Sequence, residues 1–296
     1  MLLRDLRKGE DTELMAAQAV IAHLAPDILL LTDFDYDYDG LALAALAEQL
    51  DYPHTFARRP NTGMQTDLDL DGNGRFGEAR DAQGYGRFSG DGGMAILSRY
   101  AIAPDDVMDL SDVLWRDVKG AVLPTTMTSD VAAVQRLSTS GHWIVPVATP
   151  AGLVTLLAYA ATPPVFDGPE DRNGLRNRDE LRLWTHVLDG VFGPPPNSFV
   201  IAGNANLDPD AGDGLRGAMR DFLADPRLQD PLPAIPTAYW PDLPELGELR
   251  VSYVLPSHDW QVVDAGVAAP APDDPSRVDR ALGAGPHWLV WVDIAR

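Results

Sequence analysis

The chain has 296 residues, 45% of them apolar, which is enough to fill one large core. Acidic residues outnumber basic ones by 44 to 23, and the formal net charge of −21 opposes long nucleic acid, whose binding rests on neutralising phosphates. Cysteine is absent, which excludes disulfides, thiolate metal sites and a cysteine nucleophile, and no apolar run approaches the roughly 18 residues of a membrane-spanning helix.

No Ser/Gly linker, charge block or fixed-period repeat divides residues 1–296, so a single domain is expected. The N-terminus, MLLRDLRKGEDTELMAAQ, is charged too early to be an export signal; as written, the protein is expected to be cytoplasmic. Residues 12–24 place Leu14, Ala17, Val20, Ile21 and Leu24 on one helical face and stop before Pro26. The run DILLL (27–31) reads as a buried strand, followed by a helix over 40–50. Asp33 and Asp35 follow that strand as the acidic pair of haloacid-dehalogenase phosphatases does, but Asp37 stands where that family has Thr or Val. Asp35, Asp37 and Asp39 are therefore assigned to turn formation and capping of the helix at 40.

Residues 57–92 carry almost no regular pattern, and loops that long inside a domain are usually functional or ligand-ordered. Within them DLDLDGNGRFGE has the twelve-residue calcium-loop spacing, with Asp67, Asp69, Asp71 and Glu78 as candidate ligands and Gly72 at the bend. Gly74 replaces the apolar eighth residue and no helical pattern flanks the loop, so a solvated acidic loop is the competing reading. The same stretch spells G-x-G-x-x-G, but no strand precedes it and no helix follows.

Further strands are expected at 94–98, 142–148, 153–160, 198–203, 249–256 and 287–294, and helices at 128–138, 178–189 and 213–224, the second of these capped by Asn177. Irregular alternation of strands and helices with long loops points to two sheets packed face to face with helices outside. Tyr239 and Trp240, among prolines, are expected to pack against the sandwich edge, with an aromatic lip over a pocket as the alternative.

The blocks PDILLLTDFDYD, DLDLDGNGR, DAQGYGRFSGDGGMAILSRY, HWIVPV, TPPVFDGPEDRNGLRNRDELRLW, FVIAGNANLDPDAGDG, RVSYVLPS and LVWVDI occur in the order seen in bacterial members of the endonuclease/exonuclease/phosphatase superfamily. The chain resembles that superfamily from about residue 2 to its C-terminus. The resemblance implies a four-layer α/β sandwich of two mixed β-sheets flanked by helices, and, in active members, hydrolysis of a phosphoester by water with Mg²⁺ or Mn²⁺.

Position by position, the catalytic pattern departs from what the resemblance implies. Asp33 stands where relatives carry a metal-binding Glu, one methylene shorter. Ala160 replaces the His of a Ser-His-Pro-Thr-Pro-Pro motif, and Asn204 replaces the Asp of Gly-Asp-x-Asn, where a neutral amide has no useful proton affinity; Asn206 is retained. Ser252 replaces a second Asp, and His287 keeps its imidazole while its orienting Asp has become Pro286. The loop after Pro164 offers Asp167, Asp171, Asn173 and Arg176 as a polar wall or an arginine clamp for an anionic ligand, against the plainer reading of a loop that satisfies its own backbone. The superfamily's first strand has no counterpart ahead of Met1; a start upstream would restore it, and could bring an export leader and a periplasmic or secreted location.

The expectation is a hydrolase-like scaffold with a decayed centre that binds a small anionic ligand or a protein partner. The alternative is a metal-dependent phosphoesterase working on a small phosphate ester through Asp33, Asn206, His287 and carboxylates such as Asp167 or Asp171.

Overall fold

Asp11 starts the helix Thr12–Leu24: its carboxylate accepts the N–H of Leu14 at 2.9 Å, and the chain leaves through Ala25 in a left-handed conformation ahead of Pro26. The computed structural model describes residues 2–280 and 282–296. Asp37 caps the next helix, Leu41–Leu50, accepting the N–H of Leu41 at 2.6 Å, as its position after the strand Ile28–Phe34 suggested.

Alternation along the strands decides the layers. In Ile28–Phe34 and its antiparallel neighbour Gly93–Ser98, Leu29, Ala95 and Leu97 face outward and pack against Leu6, Ile21 and Leu46 of the N-terminal helices. Ile28, Leu30, Met94 and Ile96 face inward. With His54–Phe56 these strands form a three-stranded antiparallel sheet. A six-stranded sheet faces it, ordered Ser252–Pro256, Phe199–Asn204, Gly152–Ala160, Gly141–Thr149, then Ala101–Ile102, with Met108–Asp109 also on Gly141–Thr149. Its parallel pair is Gly152–Ala160 with Phe199–Asn204. Trp143, Val145, Leu156, Ala158, Val200 and Ala202 fill the space between the sheets. On its outer face Leu157, Ile201 and Leu255 pack under Leu181, Trp184 and Leu188 of the helix Arg172–Leu188 and Met219 and Phe222 of Arg216–Leu223. Each such buried side chain contributes roughly 1.5–3 kcal/mol. Helix, sheet, sheet and helix make the expected four layers.

Several elements differ from their sequence patterns. The helix expected at 178–189 begins at Arg172, and Asn177 is not its cap: it lies buried inside the helix and donates its amide to Thr162 O and Ala205 O, both at 2.7 Å. Tertiary hydrogen bonds to two strand ends outweigh its preference for a cap. The helices at 128–138 and 213–224 shorten to Ser129–Val134 and Arg216–Leu223. The strand Gln261–Val267, which carried no clear period, pairs with Val290–Ala295 as a hairpin. Gly203 is set by a close approach: a Cβ there would lie 2.0 Å from Tyr159 O on the paired strand.

Candidate functional site

The ends of three adjacent strands place three side chains in one row. Ala160, Asn204 and Ser252 are register partners across the six-stranded sheet and share its inward face with Ala158, Ala202 and Val254. They line a cleft of about 1790 Å³ whose walls also include Asp33, Asn206, Trp240, Pro286 and His287. The structure therefore gathers the seven positions singled out by the resemblance into one cavity.

Asn204 Oδ1 accepts the backbone N–H of Asn206 at 3.0 Å. The same N–H also reaches Val251 O at 3.2 Å, and with Oδ1 turned toward it Nδ2 is the end left for other partners. Asn206 adopts a left-handed conformation (φ 50°) and ties the neighbouring strand end through Nδ2 to Ala161 O at 2.8 Å. Asp33 sits at an irregularity in strand pairing, also left-handed (φ 62°), and reaches the cleft. The surrounding protein pushes its carboxyl above the usual range, and the nearby Asp35, Asp91 and Glu13 add to the shift.

His287 lies against Trp240, ring edge to ring face at 5.2 Å, and its Nδ1 is buried without a hydrogen-bond partner. Burial pushes the imidazole down to about 4, so it is neutral at pH 7. Pro286 supplies a carbonyl to Tyr239 N and no carboxylate to the ring.

Asp167, Asp171, Asn173 and Arg176, expected to wall this cavity, do not line it. Asp167 accepts the N–H of Asn173, Asn173 donates to Val165 O at 2.6 Å, and Asp171 directly precedes the helix Arg172–Leu188. Arg176 is buried, and its guanidinium donates to the carbonyls of Leu137, Gln83, Arg136 and Ser138. Beside it Glu180, fully buried, accepts the N–H groups of Thr139 at 2.6 Å and Thr162 at 2.7 Å. This motif supports the cleft from behind by satisfying loop backbone.

The calcium-spaced loop folds on itself. Asp69 accepts N–H groups from Gly72, Asn73 and Gly74, which hold its carboxyl below the ordinary range. Among the described residues the one group of three or more ligands able to hold a metal is Asp69, Asp71 and Asp81, with ligand atoms within 4.8 Å of one another. Glu78 instead bonds Asn73 and Arg75, and Asp67 stays outside the group. Buried Asp81, twelve residues after Asp69, takes the place that spacing assigned to Glu78. This acidic triad can bind a metal, but it does not line the cleft. Among the described residues no group of three or more carboxylates or histidines converges in the cleft, where Asp33 is the carboxylate at the position that the resemblance assigns to metal.

Trp240 and Tyr239 line the cleft, the placement given as the alternative to edge packing, and Asp208 lines it with them. Asp208 was visible in the NLDPD stretch; its carboxylate accepts the N–H groups of Asp210, Ala211 and Arg250 and shapes the turn after Asn206.

The sequence matches the model of the Endonuclease/Exonuclease/phosphatase family over residues 14–293. No curated protein matches it. Among solved structures, an endonuclease/exonuclease/phosphatase from Beutenbergia cavernae DSM 12333 superposes with a TM-score of 0.61 at 20% identity, over 96% of this chain and 66% of that one. The 3′ phosphatase NExo from Neisseria, bound to a product DNA hairpin, gives 0.54 at 19% identity over 96% and 95%. ANGEL2, a 2′,3′-cyclic phosphatase in complex with adenosine-2′,3′-vanadate, gives 0.57 at 11% identity over 96% and 86%. At these identities the likeness establishes the fold.

Proposed function

The chain belongs to the endonuclease/exonuclease/phosphatase family, and we propose that its cleft binds a small anionic ligand of the phosphate-ester class while phosphoester hydrolysis is lost or reduced to a trace. One observation carries this reading: the row Ala160, Asn204 and Ser252, at the ends of three adjacent strands, contains no ionisable group. Water attack on a phosphoester needs a carboxylate to take a proton and a cation or cationic side chain to offset charge. The row offers an amide, a hydroxyl and a methyl. The amide N–H₂ of Asn204 and the hydroxyl of Ser252 can donate to phosphate oxygens without taking part in chemistry. The neighbours named above act on phosphate esters, which is the ligand class this scaffold accommodates elsewhere. Long nucleic acid is disfavoured by the net charge of −21. No helix among the described residues is long and apolar enough to cross a membrane.

Titration calorimetry with inorganic phosphate and with adenosine monophosphate tests the binding. The expected result is saturable heat that Asn204→Ala weakens by about tenfold, the worth of one hydrogen bond to a charged group. Equal affinity in the variant, or no heat with either probe, would overturn it. The second reading, a rearranged metal-dependent phosphoesterase, draws on Asp33, Asn206 and His287 facing one cavity.

A further inference from the structure

The parallel pairing of Gly152–Ala160 with Phe199–Asn204 ends at Ala160 and Asn204, the two cleft-row positions it carries. One residue before them the spacing is set by contact, at Gly203 against Tyr159 O. Just past them the Ala161 N–H still bonds Asn204 O at 2.9 Å, and Asn206 Nδ2 reaches Ala161 O from the cleft side. From Thr162 and Ala205 onward no backbone hydrogen bond among the described residues joins the two segments.

Asn177 ties them from the opposite side. It is buried inside the helix Arg172–Leu188, on the face it shares with Glu180 one turn later. Its amide nitrogen donates to Thr162 O and to Ala205 O, both at 2.7 Å, so one carbonyl comes from each strand end. Glu180 accepts the N–H of the same Thr162 at 2.7 Å. One helix face therefore holds both backbone groups of Thr162 and links them to Ala205, the residue between Asn204 and Asn206.

The other half of this amide is unused. Asn177 Oδ1 is buried without a hydrogen-bond partner among the described residues, and an unmade bond on a buried acceptor is costly. Asparagine is also a weak helix former in mid-helix. Stability alone does not account for such a residue here. What it supplies is a planar pair of donors on one short, stiff stem, aimed at carbonyls of two different strands. We infer that Asn177 is a positioning residue: it fixes the separation of residues 162 and 205, and thereby the turn in which Asn204 Oδ1 accepts the Asn206 N–H and leaves Nδ2 for a ligand. The inference rests on the binding role proposed above for Asn204.

The test is calorimetry with inorganic phosphate and adenosine monophosphate on wild type, Asn177→Ala, Asn204→Ala and the double variant. Alanine leaves room for a water to serve the two carbonyls, so the fold is kept while the fixed tie is lost. Asn177 does not line the cleft, yet Asn177→Ala should weaken both ligands by about tenfold, as Asn204→Ala does. The double variant should bind no more weakly than either single one, because one residue acts through the other. Without ligand, the nitrogen-15 order parameter of Asn204 Nδ2 should lie near the rigid value of about 0.85 in wild type and fall below about 0.6 in Asn177→Ala. Unchanged affinity, losses that multiply to about a hundredfold in the double variant, or an equally ordered Asn204 overturns the inference. If wild type gives no heat, the binding reading falls and the order of Asn204 alone decides this one. If Asn177→Ala does not fold, Asn177→Gln, which keeps both donors on a longer stem, should show the same losses of affinity and order.

Discussion

Asn204 Oδ1 lies 3.0 Å from the backbone nitrogen of Asn206 and accepts its hydrogen, so the residue at the centre of the cleft row serves as a turn-forming acceptor. An aspartate would accept the same hydrogen bond, and Asn204→Asp should fold with little change in stability. Alone it should stay at background hydrolysis, because Ala160, Ser252 and Pro286 leave the new carboxylate without partners. The joint variant Ala160→His, Asn204→Asp, Ser252→Asp and Pro286→Asp is expected to gain about 10²-fold or more in Mn²⁺-dependent hydrolysis of a nitrophenyl phosphodiester. A folded joint variant with no gain would argue that the centre did not decay from this pattern.

His287 is expected to remain neutral well below pH 6. Burial against Trp240 favours the uncharged ring, whose pKa falls from 6.5 to about 4. A group depressed in the folded state contributes stability above its unfolded value, and that contribution is lost as pH falls from 6.5 through about 4. Carbon-13 shifts of the His287 ring between pH 3.5 and 8 check this; a midpoint near 6.5 would show the ring to be solvated and able to carry charge in the cleft.

Glu180 should work in the opposite sense. Burial raises its carboxyl from 4.5 to about 7, partly offset by Arg176 and by the N–H groups of Thr139 and Thr162. A raised carboxyl stabilises the fold below pH 4.5 and loses that contribution as pH climbs through about 7. Glu180→Gln keeps one acceptor but turns an N–H₂ toward the other donor, which costs about 1–3 kcal/mol. Denaturant titrations should show the variant less stable than wild type at pH 5, with the gap narrowing toward pH 8. A gap that widens with pH would contradict the assignment.

Buried Arg250 and half-buried Asp230 form an ion pair, with two bonds at 2.9 and 2.5 Å, and the guanidinium stacks 4.5 Å from the centroid of Tyr253. Asp230→Ala would strand the charge and is expected to cost about 3–5 kcal/mol. The backbone N–H of Arg250 also holds Asp208 at 2.6 Å, so the same variant should loosen the turn after Asn206. A shift of the urea midpoint corresponding to under about 1 kcal/mol would show the pair to be dispensable.

The strands themselves were legible because 27–31, 94–98 and 153–160 are continuous apolar runs that suit burial on both faces, whereas which residue faces which layer shows only in the packing. The cleft row was legible through its place in the family pattern, since Ala160, Asn204 and Ser252 are non-ionisable and carry no chemical signal of their own. The roles of Arg176 and Asn177 were not. Both sit in a polar run that reads as exposed, and both are buried by carbonyls brought from residues 15 to 93 positions away. Trp240 was left between a pocket lip and edge packing for a related reason: proline-rich segments have no period, so nothing local shows which side of the ring meets His287.

The central claim is that this cleft holds no working hydrolytic centre. The most direct measurement is hydrolysis of a generic phosphodiester and phosphomonoester with Mg²⁺ or Mn²⁺ by the purified protein, against EDTA and against Asp33→Ala. No turnover above the Asp33→Ala level, from folded protein, is the predicted result. Turnover that EDTA and Asp33→Ala both abolish would contradict it and establish a rebuilt metal-dependent site.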